Sequence, residues 1–191
     1  MKKTKLNFRM MLVLMASLFV LFSCEKATTV NVQMDPIDIV LDEINVEEEE
    51  TPSKGLRPFH EERAFNLAEL TSAAATVAKY KSKIEKVEVG ELSITIYSKL
   101  DGGTVVEDFV LKAEGVSGNI SIPHYELGTA YTGNNDGSVL IFGAQVLYKL
   151  FSNESITFDV SGKTDILLGK NLSVRIAMGK IVLVTKPLKT K

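Results

Sequence analysis

The chain has few of the residues on which protein chemistry often depends. It contains one cysteine, two histidines and no tryptophan among 191 residues. Sugar sites commonly stack the ring of the sugar on exposed aromatic side chains, so the lack of tryptophan weakens a carbohydrate-binding interpretation. A zinc site would have to combine His60, His124 and a glutamate, but the two histidines lie far apart and no HExxH sequence exists. We therefore expect solvated surface histidines.

Sequence motifs typical of catalysis are also missing. The chain contains no GxSxG, no phosphate-binding glycine loop and no dinucleotide fingerprint. The stretch EGVSG at 114–118 has the wrong spacing for a nucleophile elbow and predicts a turn. A carboxylate pair could form in space, but nothing in the sequence selects one. The expectation is a protein that is not an enzyme, with no catalytic residues, no metal and no cofactor.

The charge of the chain is small in total and uneven along its length. The formal net charge is −2, yet the four cations of residues 1–23 face no acid there. Residues 25–63 carry 11 acids and 4 bases, which leaves residues 64–191 close to neutral. No segment has the basic patch that phosphate neutralisation requires. Nucleic acid is therefore not an expected partner.

The amino-terminal segment has the composition of a secretory signal. Residues 1–9, MKKTKLNFR, are basic, and residues 10–22 hold no charge. An apolar run of this length is too short for a bilayer-spanning helix, which needs about 20 residues. A basic region followed by a short apolar region predicts that residues 1–23 are a signal peptide. The usual small-x-small cleavage site is replaced by LFSC, which ends at Cys24.

The LFSC stretch resembles the lipobox of bacterial lipoprotein precursors. In that family a leucine three residues before the cysteine and a small residue directly before it guide cleavage. The resemblance implies that Cys24 is linked to diacylglycerol and that its freed amine is acylated, for instance by palmitate. The membrane would then be a partner through this lipid, and no thiol would remain for disulfide, catalytic or metal chemistry in the mature chain.

In general style the chain resembles small uncharacterised envelope lipoproteins of Bacteroidetes. The lack of aspartate at position 25 favours the outer membrane over the inner membrane. Several acids just after the cysteine are associated with display at the cell surface in that group, and Glu25–Lys26 matches this in part. The resemblance implies a lipid anchor in the outer membrane, and leaves open the periplasmic face and the cell surface.

The rest of the chain divides by composition. Residues 24–63 are interpreted as an acidic leader or linker with one or two short strands, because Ile37, Ile39 and Leu41 alternate with polar residues. Within it, residues 45–63 combine four consecutive glutamates with prolines and predict an exposed linker or loop. Residues 64–191 are predicted to form a β-rich domain with one helix.

That single helix is predicted at about residues 65–84. Asn66 is a candidate N-cap, and Glu69 stands three residues later as in a capping box. The apolar stripe on one face of this helix consists of Leu67, Leu70, Ala74, Val77 and Ile84.

The remaining segments read as short strands. Residues 87–98 predict a strand with a bulge at Gly90, 100–104 a turn, 105–114 and 118–123 two strands, and 138–151 a central strand with two apolar faces. Further strands are predicted at 156–163 and 172–186. This pattern favours a mainly β fold, an antiparallel β-sandwich or partial barrel with one amphipathic helix.

One loop region offers candidate ligand-binding residues. Asn134, Asn135 and Asp136 supply hard oxygen atoms in an arrangement similar to part of a calcium loop, but they fit an ordinary tight turn better. Tyr125 and Tyr131 flank the glycine-rich stretch 128–137 and could line a small ligand site or pack against the sandwich edge.

Two functional classes follow from these observations. The first is a lipid-anchored envelope or cell-surface protein that acts as a non-enzymatic binding or assembly module, with another envelope protein or polymer as its partner. The second is an accessory lipoprotein that binds a small ligand or a glycan. A pocket walled by Tyr125 and Tyr131 would favour the second, whereas an apolar patch or an unprotected edge strand would favour the first.

Overall fold

A computed structural model describes residues 29–46, 55–98, 105–166 and 170–186, and it is mainly β. The predicted fold class is therefore confirmed. In chain order the elements are β1 (Val30–Met34), β2 (Ile37–Asn45), β3 (Arg57–Asn66), a 3₁₀ turn (Leu67–Glu69), α1 (Thr71–Tyr80), a 3₁₀ turn (Lys81–Lys83), β4 (Ile84–Glu88), β5 (Glu91–Ser98), β6 (Val105–Ala113), β7 (Ile120–Glu126), β8 (Tyr131–Thr132), α2 (Gly137–Asn153), β9 (Ser155–Thr164), β10 (Asn171–Gly179) and β11 (Ile181–Thr185).

The strands form three antiparallel sheets, consistent with a β-sandwich. Their orders are β1-β11-β4, β2-β10-β5-β8 and β3-β9-β6-β7. Alternating residues of the strands point inward to one hydrophobic cluster, as Ile37, Ile39 and Leu41 do in β2. The predicted alternation of β2 is confirmed by this burial.

The first strands of the described chain belong to the same body as the last ones. Val30 of β1 lies opposite Thr185 of β11, and β2 pairs with β10. β3 pairs with β9 over its full length, from Arg57 to Asn66. The linker prediction is therefore wrong for residues 57–63, and the proposed boundary at residue 64 falls inside β3. Residues 47–54 lie outside the described residues, as do Cys24 and the predicted turn at 100–104.

The segment 138–151, predicted as a central strand, is part of the helix α2. Its buried residues recur at helical spacing: Val139, Phe142, Gly143, Val146, Leu147, Leu150 and Phe151. The helix begins with Asp136 as N-cap and ends at Glu154, which has a left-handed φ of 67°. The β-branched and aromatic residues made a strand plausible, but the run is longer than most strands, and packing against the sheets selects the helix.

The predicted helix at 65–84 is shorter than expected. Phe65 and Asn66 end β3, a 3₁₀ turn follows, and α1 covers only Thr71–Tyr80. The capping box is present, because Glu69 accepts a hydrogen bond from the main-chain N–H of Asn66 at 2.9 Å. It closes the 3₁₀ turn, not α1. Ile84 begins β4, which continues the chain into the next sheet.

The predicted single strand at 87–98 is two strands in different sheets. β4 pairs with β11, whereas β5 pairs with β10. Gly90 lies between them, and a Cβ atom there would be 2.9 Å from the Cβ of Lys180. The change of apolar phase at Gly90 therefore marks a passage between sheets and not a bulge.

Candidate functional site

Tyr125, a predicted ligand-binding residue, is used inside the fold. It is 4% exposed, and its hydroxyl group accepts a hydrogen bond from the main-chain N–H of Ile96 at 3.0 Å. The same hydroxyl donates to the carbonyl oxygen of Thr129. Because its ring is buried and its hydroxyl group already makes two hydrogen bonds, Tyr125 is not available to contact a ligand.

The segment after Tyr125 covers the free edge of β5. Gly128 and Gly133 donate main-chain hydrogen bonds to the carbonyl oxygens of Ile96 and Leu92, at 2.8 and 2.9 Å. The side-chain oxygen Oδ1 of Asn134 accepts from the N–H of Leu92 at 2.9 Å. Between these contacts, β8 pairs with β5 and places the half-buried Tyr131 opposite Ile94. An edge strand whose main chain is paired in this way offers no template to another chain.

Asp136 serves as the N-cap of α2. Its Oδ1 accepts from the hydroxyl group and the N–H of Ser138, at 2.6 and 2.8 Å. These hydrogen bonds, the one from the hydroxyl group first, hold the pKa of Asp136 below its usual value. Asn135 is exposed in the turn before it. Of the five predicted ligand-binding residues, four thus have a role in the fold. The turn explanation holds for residues 134–136, and the two tyrosines pack at the edge of the sheet.

Both histidines lie on the outer face of the sheet β3-β9-β6-β7. The Nε2 atom of His60 is 3.0 Å from Oδ1 of Asp159, and Nδ1 of His124 is 3.7 Å from Oε1 of Glu107. Two strands separate β3 from β7, so the two imidazoles lie next to different carboxylates. Within the described residues, no group of three or more histidine, cysteine or acidic side chains is placed to hold a metal ion.

A polar groove of ≈ 490 Å³ lies at the same sheet. It is lined by Glu62, Lys112, Ala113, Glu114, Thr157 and Asp159. The Nζ atom of Lys112 is 3.8 Å from Oδ2 of Asp159. Because the groove has no aromatic side chain in its lining, it lacks the stacking surface that sugar sites usually have.

A second, more apolar groove of ≈ 430 Å³ separates α2 from β4. We call it the α2/β4 groove; it is lined by Glu85, Lys86, Val87, Gly115, Ser117, Ile141, Ala144, Gln145, Tyr148 and Lys149. Ile141 is 59% exposed and Tyr148 is 40% exposed. No sequence prediction pointed to this groove.

The position of the exposed side chains follows from the helix. Ile141 and Tyr148 are seven residues apart, which places them on the same flank of α2, two turns from each other. Val146 and Leu147 face the core, and Ala144 and Gln145 continue the exposed flank between the two large side chains. A strand interpretation put Ile141 and Tyr148 on opposite faces, so it could not have found this surface.

The other wall of the groove is the edge of β4. Successive side chains of a strand point to opposite faces, so a groove that contacts Glu85, Lys86 and Val87 in succession runs along the edge of the strand. In the described part of the chain β4 pairs only with β11, on its other side. No described strand therefore covers this edge of β4, in contrast to the edge of β5.

The charges in the α2/β4 groove are mostly paired. Lys86 Nζ lies 2.8 Å from Glu88 Oε1, and Glu85 Oε1 lies 3.7 Å from Lys186 Nζ. Lys149 has no ion-pair partner among the described residues, and its Nζ lies next to Gly115, where an added Cβ would be 2.7 Å away. The groove thus presents apolar surface and one unpaired cation.

The described helices do not cross a membrane. Neither α1 nor α2, nor any other helix in the described ranges, has the length and hydrophobicity that a bilayer crossing requires.

Comparisons with known proteins give little further information. No protein-family model matches the chain, and no curated protein matches it significantly. A solved structure titled Desmodium yellow mottle tymovirus matches with a TM-score of 0.39 and 10% sequence identity, over 86% of this chain and 92% of that one. At that TM-score the likeness supports no inference about fold or function.

Proposed function

We propose that this protein is a lipid-anchored envelope protein of the outer membrane, and that its β-rich body is a non-enzymatic binding or assembly module. The anchor rests on the sequence of residues 1–24, which ends in the lipobox-like LFSC. Two or more acyl chains on Cys24 attach a protein stably, whereas a single chain of myristoyl length binds only marginally.

The binding role rests on one observation, the clustering of exposed apolar side chains in the α2/β4 groove. Three large apolar residues of the described chain are exposed: Val30, Ile141 and Tyr148. Two of the three line this groove. Scattered exposed apolar residues are normal, but a shared patch beside an open strand edge is typical of a protein-binding surface.

The alternative, an accessory protein that binds a small ligand or a glycan, has less support. It required a pocket walled by Tyr125 and Tyr131. Tyr125 is buried and hydrogen-bonded to the main chain of Ile96, and Tyr131 packs against the core beside it. These positions of the two tyrosines favour the first functional class, a non-enzymatic binding or assembly module.

The anchor is tested by metabolic labelling of the full chain with an alkyne analogue of palmitate. We expect wild-type protein to be labelled and processed, and the Cys24→Ser variant to be unlabelled and uncleaved. Ser23→Ala, which keeps a small residue before the cysteine, should behave as wild type and is the matched control. Equal labelling of Cys24→Ser and wild type would refute the anchor.

The binding role is tested by photo-crosslinking in cells that express the full chain. Benzoylphenylalanine replaces Ile141 or Tyr148 in the groove, and Arg175, an exposed residue of β10, as the control position. We expect defined adducts from positions 141 and 148 that are missing from position 175. The same adducts from all three positions, or none from the groove, would argue against a binding surface there.

A further inference from the structure

The exposed flank of α2 in the α2/β4 groove has the length of a short extended segment. Ile141 and Tyr148 are separated by about 10 Å along the helix axis, at 1.5 Å per residue. An extended peptide covers that distance in about three residues, at about 3.3 Å per residue. A segment of about five residues is therefore long enough to contact both side chains.

The main chain of β4 provides a second means of recognition. On the groove side no other described strand pairs with β4, so its edge N–H and C=O groups can accept an added strand. Strand addition gives affinity through main-chain hydrogen bonds, and the side chains that line the groove give specificity.

The charge of the groove indicates the chemistry of the incoming segment. Glu85 and Lys86 are already engaged in ion pairs, and Lys149 is the lining charge without a partner among the described residues. Lys149 lies one residue beyond Tyr148, about 12 Å along the helix from Ile141. A carboxylate about four residues from an apolar side chain would therefore reach Lys149 when that side chain contacts Ile141.

On the premise of the binding role above, we propose that the α2/β4 groove takes an extended acidic segment of a partner protein, which adds a strand to β4. Apolar side chains on one face of this segment pack along the exposed flank of α2 between Ile141 and Tyr148, and its carboxylate pairs with Lys149.

A second copy of this chain fits the groove less well. The β4 strand of another copy carries β11 on its far side, so it would bring a whole sheet edge into the groove. The wall opposite β4 is formed by α2, and the 115–117 loop is tied to it because Gln145 Oε1 accepts from the N–H of Ser117 at 2.9 Å.

The test measures binding of fluorescein-labelled hexapeptides to the full chain in detergent by fluorescence anisotropy. The probe is TITVTE with an amidated end, which places the isoleucine and the glutamate four residues apart on one face. Its controls are TITVTK and a TITVTE peptide with N-methyl groups on the edge that would pair with β4. The protein variants are Lys149→Glu, Ile141→Asp and, as the matched control on the other helix, Lys79→Glu.

We expect wild type to prefer TITVTE over TITVTK by about threefold, in the range of a partly exposed ion pair. Lys149→Glu should reverse that preference and Lys79→Glu should retain it. Both N-methylation and Ile141→Asp should weaken binding at least about tenfold. Thermal melting of each variant should match wild type, since these side chains are exposed or half-buried.

Several results would overturn the proposal. They are the lack of binding by either peptide, equal binding of the N-methylated peptide, or a charge preference that Lys149→Glu does not change. A dimer of wild type in light scattering that Ile141→Asp dissociates would assign the groove to a second copy. Groove-specific crosslinks in cells combined with any of these results would leave the binding role standing and reject strand addition.

Discussion

The edges of strands β5 and β4 differ in whether another segment of the described chain hydrogen-bonds to them. Residues 125–134 cover the edge of β5. Their contacts are the strand β8, two glycine N–H groups, the hydroxyl group of Tyr125 and the side-chain oxygen Oδ1 of Asn134. The edge of β4 lies beside a groove with exposed apolar side chains. Unpaired edges promote association, so of the two edges only that of β4 leaves main-chain groups that another strand could pair with among the described residues.

The largest expected effect concerns the packing of the covering segment on α2. A Cβ atom at Gly133 would lie 2.2 Å from Cγ1 and 2.9 Å from Cβ of Val139, so a rotamer change of the valine cannot relieve the contact. We expect Gly133→Ala to lower the free energy of unfolding by about 3 kcal/mol, as overpacking does. Chemical denaturation measures it.

Gly137→Ala is the matched control for this substitution. Gly137 begins α2 with no heavy atom within 4 Å of an added Cβ, so the change should be neutral or slightly stabilising. Equal changes in the free energy of unfolding for Gly133→Ala and Gly137→Ala would show that residue 133 is not closely packed against α2.

A smaller effect is expected from removing one hydroxyl group at each edge. Tyr125→Phe leaves the N–H of Ile96 without its acceptor in a buried position, which should cost about 1–3 kcal/mol in unfolding free energy. Tyr148→Phe removes an exposed hydroxyl group beside β4 and should leave stability unchanged. If both variants unfold at the same denaturant concentration as wild type, the β5 edge does not depend on Tyr125.

The smallest effect is the pH dependence of the helix cap at the end of the covering segment. Hydrogen bonds from Ser138 lower the pKa of Asp136 below its ordinary 3.8, so the stabilisation is present above that value and is lost as the pH falls through the lower folded pKa. Asp136→Asn keeps a capping oxygen that does not titrate. We expect the advantage of wild type in melting temperature to be larger at about pH 7 than at about pH 3. A difference in melting temperature between wild type and Asp136→Asn that is the same at both pH values would contradict this prediction.

The sequence predicted the strands whose apolar residues alternate on one face. Ile37, Ile39 and Leu41 gave β2, because a half-buried strand has a simple period of two. The helix α2 was missed because Val139, Leu140, Ile141 and Phe142 form a continuous apolar run, in which helix and strand periods cannot be separated by periodicity alone.

The candidate sites were harder to predict because they depend on pairing across the chain. Tyr125 and Asn134 act on Ile96 and Leu92, which lie about 30 to 40 residues earlier in the chain, and no local pattern marks that pairing. Ile141 can be identified as a groove residue only when the fold places β4 next to α2. Composition could indicate neither neighbour.

The pairing of β1 with β11 brings the two ends of the described chain together. Val30 lies opposite Thr185, and the N–H of Lys186 donates a hydrogen bond to the carbonyl oxygen of Lys83, the residue before β4, at 2.9 Å. If Cys24 carries the lipid, the six peptide steps to Val30 form a tether of at most about 20 Å. The body would then stand close to the bilayer on its β1 end, with the α2/β4 groove beginning near that end. The described chain leaves the body at Lys186, at this same end, so a carboxyl-terminal label would be attached from the side that faces the membrane.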